Sequence, residues 1–190
     1  MLTAFAKLLL AFAPWLSFLL IAHGSLLRVK LGLVVGLALS VAMGLTHLHR
    51  GIILWVGLVF FGCAGVAVIG FEDPWALKHM GVLANGALAA GTWLTIALKK
   101  PFTLDYAKEH TDPALWDNPV FLKTNYLIAA AWASAFTANT GLAFLKMRHV
   151  LFSELTFELM SYALLIGCAL YTARVQARAA SMRARGAASG

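Results

Sequence analysis

The stretch IILWVGLVFFGCAGVAVI, residues 52–69, holds no charged side chain and no proline. At ~1.5 Å of rise per residue, a helix of this length reaches about 27 Å, close to the ~30 Å hydrocarbon thickness of a bilayer. A barrel strand needs only ~10 residues with alternating polarity, and this run is longer and does not alternate. Inside hydrocarbon every backbone N–H and C=O must be satisfied within the segment, and an α-helix does that. The stretch reads as a membrane-spanning helix.

Runs of the same kind lie on both sides. Toward the N-terminus one covers 31–46 and ends at His47-Leu48-His49-Arg50. Before it, a run over about 5–22 follows Lys7 and contains Pro14, which predicts a kinked first helix. A signal peptide is the other reading of that run. Ile21-Ala22-His23 lacks the small-x-small cleavage pattern, so a retained helix is preferred. Toward the C-terminus, runs cover 80–98, 125–145 and 150–171. The chain is 61% hydrophobic and 12% charged, against about a quarter charged in an ordinary soluble domain. The expectation is an all-α, polytopic integral membrane bundle over residues 1–172. It has six spans, or five if the first run is removed or lies in the interface. A basic, flexible cytoplasmic tail over 173–190 follows.

The formal net charge is +7, yet the cations sit at the ends of apolar runs and in the tail, with no basic stripe interleaved with aromatics. Nucleic acid is therefore not an expected partner. With six spans, Lys7, Arg50, Lys99, Lys100, Lys108, Lys123, Arg174, Arg178, Arg183 and Arg185 fall on one side, and Arg28, Lys30, Lys78, Lys146 and Arg148 on the other. The ten-to-five excess puts the first side, with both termini, in the cytoplasm. Cys63 and Cys168 lie inside apolar runs and suggest no disulfide or metal spacing.

One connection is long. Between Lys99 and Thr124, Pro101 stops the fourth span and Thr103 is placed to cap a short helix reaching about His110. Asp112-Pro113 is a second helix start, and Asp117-Asn118-Pro119 reads as a turn. Phe102, Tyr106, Trp116 and Phe121 are placed as interface anchors, or as a surface that docks a protein partner. The loop is expected as one or two short helices lying on the cytoplasmic face.

Phe71-Glu72-Asp73 ahead of a helix, Lys78 at its start, Trp93 near its end, Lys99-Lys100-Pro101, Trp116, Asn125 and Ala131-Trp132 together form a pattern. It resembles the intracellular septation protein A family, YciB-like inner-membrane proteins, over roughly residues 31–172. The first run and residues 102–107 fall outside that pattern. The resemblance implies a bacterial inner-membrane protein tied to cell-envelope synthesis and division, acting through protein partners. It implies no catalytic residue.

Ionisable groups inside spans are costly and mark candidate sites. Glu154 and Glu158 are four apart on one face of the sixth run, and Asn85 and Asn139 lie within spans. Together they are a candidate intramembrane polar site, able to bind a cation or relay protons. Hydrogen bonding of Glu158 to Asn85, Asn139 or Lys146 is the structural alternative. His23, His79 and His149 fall near the outer helix ends, where convergence would hold a metal. No spacing enforces it, and no metal is expected. No nucleophile elbow, phosphate loop, dinucleotide fingerprint or zinc-protease motif is present. The leading expectation is a non-enzymatic scaffold or accessory subunit, without cofactor beyond bound lipids, acting with the bilayer and other membrane proteins. A small transporter or channel using Glu158 with Asn85 and Asn139 is the alternative, and a haem- or quinone-linked redox subunit is a further one.

Overall fold

A computed structural model describes residues 10–22, 24–46, 51–109, 111–149 and 152–188, and the described residues contain helices and no strand. Five helices are long and apolar enough to cross a membrane. Helix α1 is Ala13–Ile21, α2 Leu26–Leu45, and α3 Ile52–Gly65 with a π-turn over Val66–Gly70. Helix α4 is Pro74–Lys78, α5 Met80–Ala97, α6 Thr103–Lys108, α7 Pro119–Met147 and α8 Glu154–Ala188. The five long ones are α2, α3 with its π-turn, α5, α7 and the Glu154–Ala179 part of α8.

Several boundaries differ from the sequence expectation, each for a local reason. Helix α2 starts five residues earlier than 31, because the Ser25 hydroxyl accepts from the Arg28 N–H and caps it. Arg28 and Lys30 thus belong to its first turns, with Lys30 Nζ paired to Glu72 Oε1 at 2.6 Å. Helix α7 starts at Pro119 instead of 125: the Asn118 side chain accepts from the Val120 N–H, and the expected turn is a helix cap. Helix α8 starts at Glu154 and runs past 171 to Ala188, through most of the expected tail. Ala and Arg are strong helix formers, which suits that extension. Of the first expected span, residues 5–9 lie outside the described residues; the rest appears as α1, nine residues long.

Neighbouring helices run antiparallel. A Cβ on Gly32 would meet Ala22 and Phe18, one on Gly36 the Phe61 ring, and one on Gly91 Val56. Trp93 Nε1 donates to Thr137 Oγ1 at 3.1 Å, and Trp132 Nε1 to Thr172 Oγ1 at 3.1 Å. These pairs set the order α1–α2–α3–α5–α7–α8 in register. Small residues at the crossings let backbones approach closely, which substitutes for the missing hydrophobic drive in lipid.

The core is aromatic, and α1 is wedged into it. Phe12, next to the start of α1, stacks on Trp132 with ring centroids 5.2 Å apart and meets Phe102 edge-on at 6.0 Å. Trp15 stacks on Phe60 at 5.0 Å, and Phe18 approaches Phe61 edge-on at 5.7 Å. The first run therefore contributes three aromatic core side chains, joining α3 to α7.

The first half of the long connection turns into the bundle, while residues 112–115 and 117–120 are exposed. Pro101, Phe102, Thr103, Leu104 and Tyr106 are buried. The Phe102 N–H donates to Thr95 Oγ1 at 3.2 Å, and Thr103 Oγ1 donates to the Asn125 carbonyl at 2.9 Å. Thr103 is thus not the cap of α6; that position belongs to Phe102, and no side chain caps it. A short 3-10 turn over Pro113–Leu115 follows, capped by Asp112.

Candidate functional site

Helix α7 carries polar side chains at 125, 132, 139 and 146, an exact seven-residue spacing. Two turns of helix bring a residue back to nearly the same face, so Asn125, Trp132, Asn139 and Lys146 form one stripe. At one end the Asn125 carbonyl accepts from Thr103 Oγ1, while its side-chain Nδ2 donates to the Phe121 carbonyl at 2.9 Å. Next come the Trp132–Thr172 bond and, two turns on, Asn139 Nδ2 to the Ser161 carbonyl at 3.5 Å. Lys146 Nζ closes the other end on Glu158 Oε1 at 2.7 Å, with Glu154 Oε2 at 3.9 Å. Trp132, Asn139 and Lys146 thus join α7 to α8, while the Asn125 end is tied to α6.

Its middle is dry. Asn139 is 2% exposed and its Oδ1 has no hydrogen-bond partner among the described residues. A buried acceptor left unpaired costs about 1–3 kcal/mol. One end is more open: Lys146 and Glu158 are each about one-third exposed, in the last turn of α7 and second turn of α8, while Asn125 at the other end is buried.

Of the four residues expected as one polar site, the two acids meet at one cation. Glu154 and Glu158 share Lys146, one of the partners considered for Glu158. Asn139 faces Ser161 instead, and Asn85 Nδ2 donates to the Gly81 carbonyl of its own helix at 2.9 Å. The seven-residue spacing of Trp132 with Asn139 and Lys146 was the signal for the seam, and treating the spans one at a time hides it.

Of the expected docking anchors, Phe102, Tyr106 and Phe121 are buried in the bundle, so they offer no free surface. Burial is the main cause holding the Tyr106 phenol above its ordinary range, with Asp105 and Glu109 acting in the same sense. Trp116 stays half-buried, its Nε1 donating to the Thr111 carbonyl at 3.1 Å and Lys108 Nζ lying 4.9 Å from its ring centre. Leu115 and Val120 beside it are exposed.

Among the histidines, His79 Nδ1 meets the Trp75 carbonyl at 2.8 Å and its ring stacks on Trp75. His23, His47, His49 and His110 lie outside the described residues. Among the described residues no three of His, Cys, Asp and Glu are placed to hold a metal ion. Compared with family models, with curated proteins and with solved structures, the chain matches none of them.

Proposed function

We propose that this chain is a non-enzymatic integral membrane protein, a scaffold or accessory subunit that works through contacts with other membrane proteins. The observation that carries the reading is the filled middle of the bundle. Phe12, Trp15, Phe60, Phe61, Trp132 and Phe136 occupy it as stacked and edge-on rings. A transporter places its polar site near the midplane, at helix breaks; here charge sits at a helix end and is paired. In this reading α1 is a sixth crossing. The excess of cations at the end bearing Lys99, Lys100 and Arg174 supports a cytoplasmic location for that end and both termini. The family resemblance suggests a bacterial inner membrane and an envelope or septation complex.

Purification in mild detergent tests it. Partner proteins should accompany the wild-type chain and be lost from Trp116→Ala combined with Val120→Glu, both at the exposed edge of the loop. A chain that purifies alone from its native membrane, with full function, ends the proposal. The orphaned Asn139 Oδ1 favours one competing reading, a small transporter using the α7–α8 seam. A proteoliposome flux that vanishes in Glu158→Gln would establish it, and a flux that persists would end it.

A further inference from the structure

We infer that the outward face of α8 binds an anionic phospholipid, its acyl chain along Leu159, Ala163 and Leu170 and its phosphate on Arg174 and Arg178. The face opposite the seam is unpartnered. Leu159 is 60% and Leu170 55% exposed, and a Cβ on Gly167 would meet nothing within 4 Å. At ~100° per residue, Arg174 returns to within ~20° of Ala163, and Arg178 lies ~40° further round. Both arginines are exposed and have no ion pair among the described residues.

Depth fits a headgroup. Trp93 is level with Thr137, and five residues toward the start of α7 lies Trp132, the partner of Thr172. Thr172 is thus level with the last turn of α5, which ends at Ala97 just before Lys99 and Lys100. Arg174 and Arg178 follow immediately beyond that boundary. Charge selects the ligand: after Glu158 the sequence contains no acidic residue, and Arg183 and Arg185 continue the cationic run. A guanidinium matches a phosphate through paired N–H donors, and each basic side chain at an anionic leaflet favours binding by roughly fivefold. Neutral lipid offers no such complement, and an acidic protein would have to cover the apolar turns as well.

Spin-labelled lipids read this directly. With the full chain in phosphatidylcholine bilayers, labelled phosphatidylglycerol should be motionally restricted severalfold more than labelled phosphatidylcholine, up to about 25-fold if the two arginines contribute independently. The preference should fall at high salt. Arg174→Gln with Arg178→Gln should bring it to near unity, and the Lys pair at the same positions should keep most of it. Lys99→Gln with Lys100→Gln should cost less. Equal restriction of both lipids by the wild type overturns the inference, including the case in which an acidic protein occupies the face. So does an undiminished preference in the Gln pair, or equal losses in the Arg and Lys99/Lys100 variants, which would mean diffuse surface charge. Circular dichroism of each variant confirms that the helices are intact.

Discussion

Gly36 has room for a hydrogen and little else: a Cβ there would lie 2.6 Å from the Phe61 ring. Phe61 is fully buried and touches Trp15, Phe18 and Phe60, so it has nowhere to retreat. Gly36→Ala should therefore lower stability by about 1–3 kcal/mol, read as a drop in thermal midpoint in detergent. The small pair Gly32 and Gly36 is visible in the sequence, but Phe61 as the ring it admits is not, because helix order does not fix rotation. The seam behaves similarly. Lys146 was legible as a partner of Glu158, whereas Thr172 opposite Trp132 needed the register of α8. A double-mutant cycle of Trp132→Phe and Thr172→Val should give a coupling of about 0.6 kcal/mol; a coupling of zero would remove the bond from the account. Glu72 gives a pH signature. Its hydrogen bond from Lys30, and the Lys30 charge, hold its carboxyl below the usual range. A lowered carboxyl pKa stabilises the fold above the unfolded value, and that stabilisation fades as pH falls through the folded value. The thermal midpoint should thus decline on acidification below about pH 4.5, and Glu72→Gln should flatten that part of the curve.

At the scale of elements, helix ends were the least legible feature. Asp112-Pro113 was read correctly as a start, and the same Asp-Pro signal at Asp73-Pro74 caps α4, with Asp73 accepting from the Trp75 N–H at 2.9 Å. That short helix is hidden in the sequence between two apolar runs that dominate the pattern. Just past the end of α5, Lys99 has φ 58°, a left-handed residue without the glycine usual there. The Lys100 N–H reaches the Thr95 carbonyl at 2.9 Å and the Lys99 N–H the Ile96 carbonyl at 3.0 Å, which completes the C-terminal hydrogen-bond pattern. Lys99→Gly removes the Cβ strain and should raise stability by about 1 kcal/mol. An unchanged or lower midpoint would show that the lysine's charge outweighs its backbone strain. Loop 99–124 illustrates why aromatic residues mislead: Phe102 and Tyr106 looked like surface anchors because loops ordinarily lie outside. In this chain Thr95 Oγ1 accepts from the Phe102 N–H, and Thr103 Oγ1 donates to the Asn125 carbonyl, which ties residues 101–106 into the bundle.

Across the whole molecule, composition alone carried the fold class, since a chain this poor in charge cannot cover a bundle with polar surface. The number of crossings was harder to read, because it depends on α1, whose role lies in packing and not in length. Trp15→Ala should cost about 3 kcal/mol, as expected for a buried aromatic ring that leaves a cavity; an unchanged midpoint would mean that α1 is dispensable to the core. The proposed orientation of the bundle rests on the uneven count of cations at its two ends. The central physical claim is that lipid surrounds the long helices, and alkaline extraction of native membranes tests it most directly. The chain should stay with the sedimented bilayer at high pH and leave it only in detergent. Recovery of folded, dispersed protein in the alkaline supernatant would contradict the account.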